Sequence, residues 1–208
     1  MGNTSNEIFI NLSNLIKEPV CELNFRNNFE LIIAVVLSAQ CTDKRVNMVT
    51  PILFEKYPNC KDLANADLLD VENIIRPLGF FKVKSKNIIN LSKELLSNFN
   101  GQVPNNMEEL LTLSGVGRKT ANVVLAVGFN IPAIPVDTHL IRVSNRLGFT
   151  TSEDPKVIEK DLQKLFNKEL WIDVHHLLLL FGRYYCKAIS PKCEGCVLRK
   201  YCKSPKIK

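Results

Sequence analysis

Apolar residues recur along this chain at spacings of three and four, and that recurrence predicts helix almost everywhere. Ile8, Leu12, Leu15 and Ile16 make one apolar face near the N-terminus. Phe29 to Leu37 (FELIIAVVL) is apolar nearly all round. Its Ile-Ile and Val-Val pairs also suit a strand, but no alternating partner follows, so it reads as a buried helix. Thr42-Asp43 caps a helix with Val46, Val49, Ile52 and Leu53 inward, and Pro51 stands inside it or at a break. One or two short helices fill 62–76, with Gly79 ending them. A longer helix over 84–99 carries Ile88, Leu91, Leu95 and Phe99 in register, and Asn100-Gly101 turns the chain. Pro132 and Pro135 stop helices on both sides of a link. Asp137 then stands as an N-cap ahead of Leu140, Val143 and Leu147. The stretch 156–166 turns Val157, Leu162 and Leu165 inward. The last long helix aligns Leu170, Val174, Leu177, Leu178, Phe181 and Tyr185. The expectation is an all-α protein of many short helices and short polar joints, with no internal repeat.

One joint departs from that plainness. Leu113-Ser114-Gly115-Val116-Gly117-Arg118-Lys119 runs straight into a helix whose Ala121, Val124, Leu125 and Gly128 share a face. Asn106 and Glu109 cap a short helix just upstream. The unit reads as helix, Gly-x-Gly turn, helix. Its glycines let backbone approach a ligand closely, and the N–H groups opening the second helix suit an anion. Arg118 and Lys119 sit at that opening. The competing reading is an ordinary helix corner with glycines for packing.

Composition narrows the class. With 46% hydrophobic and 23% charged residues in 208, the chain folds around a sizeable core, as one large domain or two small lobes. No apolar run reaches the roughly 18 residues of a membrane span. Met1 to Asn6 lacks the basic-then-apolar pattern of a secretory signal, so a cytoplasmic protein with no membrane association is expected. The formal charge of +6 is concentrated. Residues 186–208 hold Lys187, Lys192, Arg199, Lys200, Lys203, Lys206 and Lys208 against Glu194 alone, and the rest of the chain sums to zero. A basic tail of this kind suits a polyanion, or is simply a solvated terminus.

The tail also holds the clearest chemistry. Cys21, Cys41 and Cys60 are isolated and read as small buried side chains. Cys186, Cys193, Cys196 and Cys202 follow C-x6-C-x2-C-x5-C within 17 residues, with Ser190-Pro191 and Glu194-Gly195 as turn formers between them. So short a loop has little apolar content, and four thiolates on one metal centre would staple it. Spacing leaves zinc and an iron–sulfur cluster open, with two disulfides the remaining alternative.

Taken together, LSGVGRKTANVV, VDTH some twenty residues on, and the four-cysteine run resemble the endonuclease III family of DNA glycosylase/AP lyases. LSAQCTD at 37–43, LGFFKVKSKNI at 78–88 and HHLLLLFGRYYC at 175–186 extend the resemblance, in order, over nearly the whole chain. The resemblance implies a helix-hairpin-helix at about 107–128 and a [4Fe–4S] cluster in the loop 186–202. It implies a helical lobe over 22–132 and a discontinuous one of 1–21 plus 133–208, with DNA bound across the cleft between them. The family hairpin usually reads Leu-Pro-Gly-Val-Gly. Ser114 replaces the proline here, which should loosen the turn.

Roles follow by the same resemblance. Lys119 matches the nucleophile that attacks the sugar C1′, expels the damaged base and forms a Schiff base, after which β-elimination cuts 3′ to the lesion. The helix N-terminus, Arg118 and partial desolvation should all favour its neutral amine. Asp137 matches the catalytic carboxylate, a role compatible with capping. His139 is a phosphate or structural contact. Gly115, Val116 and Gly117 would offer N–H groups to phosphate beside Arg118. Gln40 and the Leu78-Gly79-Phe80 loop would fill the gap left by a flipped nucleotide, although Phe80 with Phe81 also reads as core. The cluster would be held by Cys186, Cys193, Cys196 and Cys202. The expected partner is double-stranded DNA containing damaged bases or abasic sites, met by a monomer. Two alternatives stand beside the bifunctional enzyme for damaged pyrimidines. One is a monofunctional mismatch glycosylase, whose kind lacks the hairpin lysine. The other is a non-catalytic DNA-binding protein.

Overall fold

The structure, a computed structural model, describes residues 3–204, so Lys206 and Lys208 of the basic tail lie outside the described residues. Eleven α-helices and short 3-10 or π turns make up the regular structure, with no strand among the described residues. The helices fall into two compact units. A continuous unit runs from Glu22 to Asn130, and a discontinuous one joins Met1–Cys21 to Ile131–Lys208.

The continuous unit is built on α2 (Asn28–Leu37), which is buried from Phe29 to its end. Asn27 starts it by accepting a hydrogen bond from the Glu30 amide at 2.9 Å. Glu30 itself is buried, and Arg26 satisfies it through its backbone N–H (2.8 Å) and guanidinium (2.7 Å). Against α2 pack α3 (Asp43–Lys56) and α6 (Phe81–Phe99), while α4 (Cys60–Ala64) lies on α6 and α5 (Leu68–Ile75) on α6 and α3. Pro51 lies inside α3, leaving the Asn47 carbonyl without its usual helical donor. Ile52, expected inward, is exposed, and the inner face is Val46, Val49, Thr50 and Leu53. Helix α4 meets α6 closely enough for the Cys60 thiol to donate to the Ser92 carbonyl at 3.1 Å. The short α7 (Met107–Leu110) and α8 (Arg118–Val123) close the unit, and α8 widens into a π turn over Val124–Gly128.

The discontinuous unit packs α1 (Asn3–Leu15) and α9 (Thr138–Leu147) against α11 (Trp171–Tyr184), with α10 (Pro155–Leu165) on α9. Ile8, Leu12, Leu140, Val143, Ile158, Leu162, Leu177 and Phe181 form its core. Val157 is exposed where the pattern placed it inward, and Ile158 takes the buried position. Helices α9 and α11 come closest at Gly182, where a Cβ would stand 3.0 Å from His139 Cβ and from Val143 Cγ2.

Candidate active site

The hairpin is assembled from local rules. Asn106 accepts from the Glu109 amide (2.9 Å), and its own amide donates to the Glu109 carboxylate (2.6 Å), a reciprocal cap on α7. Leu110 and Leu113 are buried, whereas Leu111 between them is exposed. Gly115 takes a left-handed φ of +77°, and any Cβ there would meet Asn87 at 3.0 Å and Val36 at 3.1 Å. Only glycine combines that backbone with so close a seat on α6 and α2. The Val116 N–H donates to the Leu113 carbonyl at 3.1 Å. That amide is therefore engaged inside the turn, while Gly117 and the first turn of α8 keep their opening amides at the surface. Gly117 caps α8 with extended backbone and no side chain in the way.

Lys119 stands exposed on that first turn, with Arg118 exposed beside it. Burial within the chain does not strip water from the Lys119 amine.

Gln40 and Phe80 lie in the same unit as Lys119. Both are exposed, Phe80 at 67%, and both hold left-handed backbone, φ +54° and +47°. Phe80 thus leaves the core to its neighbour Phe81, which is half-buried. Leu78 does the opposite. It ends the 3-10 turn Arg76–Leu78 with 2% of its surface exposed, so its side chain belongs to the core. Its carbonyl accepts from the Lys84 Nζ at 3.2 Å. Lys84 is only 5% exposed, and that burial holds its ammonium below the ordinary lysine range, opposed by the nearby Cys41. Sequence reasoning missed Lys84 because a lysine in a polar stretch carries no sign of burial.

Asp137 belongs to the discontinuous unit. It is the N-cap of α9, and its Oδ1 accepts from the amides of His139 and Leu140, both at 2.9 Å. The cap thus occupies one oxygen of a half-buried carboxylate. His139 lies half-buried one turn in, its Nδ1 3.1 Å from the Arg142 guanidinium. Since arginine only donates, Nδ1 is the acceptor and the ring is neutral. Burial pushes its pKa below the ordinary histidine value, with Asp137 opposing and Arg142 and Arg183 reinforcing.

The four cysteines line one cavity with Leu147, Phe181 and Leu198. Two arginines of α9 hold its first corner. Arg142 donates through Nε to the Cys186 carbonyl (3.1 Å), and Arg146 to the Lys187 carbonyl (2.8 Å) and the Cys186 Sγ (3.2 Å). The Lys203 amide returns to the Arg146 carbonyl at 2.7 Å, closing the loop. Burial raises the Cys196 thiol, the other three cysteines adding to the effect. Arg142 and Arg146, four apart on one helical face, were a visible cationic pair that the sequence reading passed over. Four thiols around one apolar-walled cavity are a donor set that suits an iron–sulfur cluster.

Residues 33–168 match the HhH-GPD superfamily of base excision DNA repair proteins, and residues 186–202 the iron–sulfur binding domain of endonuclease III. Endonuclease III of Bacillus subtilis (strain 168) is 46% identical over 193 residues, covering 92% of this chain and 88% of its own. The chain belongs to the endonuclease III family. Solved structures of endonuclease III agree in fold. A trapped endonuclease III–DNA covalent intermediate (estranged-adenine complex) is 47% identical with a TM-score of 0.92, over 96% of this chain and 95% of that one. A non-covalent endonuclease III–DNA complex is 46% identical with a TM-score of 0.93, over 98% and 96%. As a member of that family, the chain is a DNA glycosylase and AP lyase of base excision repair, and its cofactor is a [4Fe–4S] cluster.

Proposed function

We propose that this enzyme removes damaged pyrimidines from double-stranded DNA and cuts at the resulting abasic site, with Lys119 as nucleophile and Asp137 as its carboxylate partner in the chemistry. The observation that carries the reading is an exposed lysine on the first turn of a helix opened by a Gly-x-Gly turn. Gly117 and the opening amides of α8 would take the phosphate, and Arg118 adds charge to that grip. The relatives solved as DNA complexes support a DNA partner.

In this reading the neutral amine of Lys119 bonds to C1′ as the N-glycosidic bond breaks, and the base departs with the bonding pair and a proton. The ring oxygen then leaves C1′, giving the Schiff base. Loss of a C2′ proton expels the 3′ phosphate, and water finally releases the lysine. Asp137 stabilises the positive charge that grows on the sugar, and one oxygen is already fixed for that task by the cap. Phe80 and Gln40 would occupy the stack vacated by the extruded nucleotide. Cys186, Cys193, Cys196 and Cys202 would hold the cluster, which supplies a fixed scaffold for Lys187, Lys192, Arg199 and Lys200 along the backbone.

Borohydride decides the central claim. Incubated with a duplex holding thymine glycol or an abasic site, the protein should give a covalent adduct that Lys119→Gln abolishes. Base release with no trappable adduct would instead make the enzyme monofunctional. Asp137→Asn should keep the cap geometry yet slow base release by about 10²-fold or more.

A further inference from the structure

Ser114, the residue that breaks the family's usual hairpin pattern, is engaged on both its donors. Its backbone N–H donates to Glu94 Oε2 and its hydroxyl to Glu94 Oε1, each at 2.6 Å. Both bonds are charge-assisted, and both residues are half-buried. Glu94 lies on α6, and the other residue of α6 that seats the turn is Asn87, against Gly115. Positions 87 and 94 are seven apart, two helical turns along one face. The turn therefore rests on α6 at two adjacent points, Ser114 on a carboxylate and Gly115 on a side-chain wall. Lys119 follows five residues after Ser114, with only the internal Val116-to-Leu113 bond and the Gly117 cap between.

We propose that Glu94 is a positioning residue of this enzyme, holding the Gly115–Lys119 turn in its phosphate-gripping geometry through Ser114. A proline before the first glycine stiffens a hairpin by restricting φ, but it has neither an N–H nor a hydroxyl. Serine surrenders that restriction and gains two donors, and Glu94 receives both. The stiffness lost within the turn is restored from outside it, by α6. Glu94 touches neither substrate nor nucleophile, so its effect passes through the turn. A loose turn would weaken the grip on the phosphate and misplace the amine at once. The proposal rests on Lys119 being the nucleophile.

The test combines a binding and a chemical readout. Binding is measured to a duplex carrying a tetrahydrofuran abasic analogue, which the enzyme grips without reacting, and the single-turnover rate to an abasic duplex under borohydride. Glu94→Gln puts an amide opposite two donors. It should weaken analogue binding three- to tenfold and slow trapping by a similar factor, with the cluster absorbance and thermal midpoint nearly unchanged. Ser114→Ala should lose part of each. In the double variant the effects should be less than additive, since both substitutions break one contact. Ser114→Pro with Glu94→Leu should regain binding and rate, because proline stiffens the turn without the carboxylate. Additive effects in the cycle, or binding and rate within twofold of the parent in Glu94→Gln, would overturn the proposal. So would a Glu94→Gln defect seen only as a lowered thermal midpoint. Lys119→Gln separates the two claims: a variant that still traps removes the nucleophile reading, while the binding cycle still judges Glu94.

Discussion

Phe80 and Gln40 occupy backbone that side-chain-bearing residues avoid. Left-handed φ costs an ordinary residue about 1 kcal/mol or more, and Phe80 gains little in return, since 67% of it faces solvent. A residue kept in a costly conformation with its ring outward fits a part that acts on something other than the fold. Phe80→Gly should therefore raise stability by about 1 kcal/mol in thermal unfolding while lowering single-turnover base excision. A variant both stabilised and fully active would leave Phe80 with no role in the duplex. Two histidines, His139 half-buried and His176 buried, make a second residue-scale case. Burial holds both His139 and His176 below the ordinary histidine pKa. Below pH of about 6.5 the unfolded chain takes up protons that these rings refuse, so stability falls as pH drops. The Nδ1 of His176 has no hydrogen-bond partner, so a nonpolar replacement breaks no bond at that atom. In urea titrations from pH 7 to pH 5, His176→Leu should lose less stability than the parent.

At the scale of elements, most helices were legible because their signals are local. Asn106 with Glu109, Thr42, and Asp137 are caps in both the sequence and the structure. The uniformly apolar α2 is buried as its composition demands. Residues at the margins of an apolar face were misread. Ile52 and Val157 lie within helical spacing of the core, yet their neighbours fill it and they face out. Periodicity sets a direction to within a fraction of a turn, and only packing selects among adjacent apolar positions. The left-handed Gln40 and Phe80, the π turn after α8 and the burial of Lys84 had no local signature at all. Nor did the Ser114–Glu94 pair, which joins residues twenty apart. The cysteine loop was readable in outline, but its two arginine props come from α9, more than forty residues upstream of Lys187. Close packing makes one element-level prediction. Gly182→Ala forces α11 away from His139 and Val143 and should cost about 1–3 kcal/mol by chemical denaturation.

For the whole molecule, charge and connectivity matter most. The net charge sits in the tail that carries the cysteines, so affinity for DNA should fall steeply with salt. Lys192→Ala or Arg199→Ala should each reduce the slope of log K against log salt by about 1 if the residue meets a phosphate, with little change in lesion preference. An unchanged slope would remove that residue from the contact. Losing one of the four clustered cysteines should be felt unevenly. Cys202→Ser should raise hydrogen exchange in 186–202 and along α9, whose Arg142 and Arg146 bind that loop, while α2 stays protected. Uniform deprotection would mean that the two units melt as one.

The split connectivity of the discontinuous unit also has a consequence in time. Helix α1 leaves the ribosome well before its packing partner α11, which begins at Trp171. At about 5–20 residues per second, α1 waits on the order of 10–30 seconds for that partner. Residues 22–130 are complete long before then and have a core of their own to close. During synthesis the nascent chain thus carries an amphipathic helix with Ile8 and Leu12 bare, next to a unit already folded. Maturation has an order: the hairpin unit first, then the capture of α1, and only then the cysteine loop.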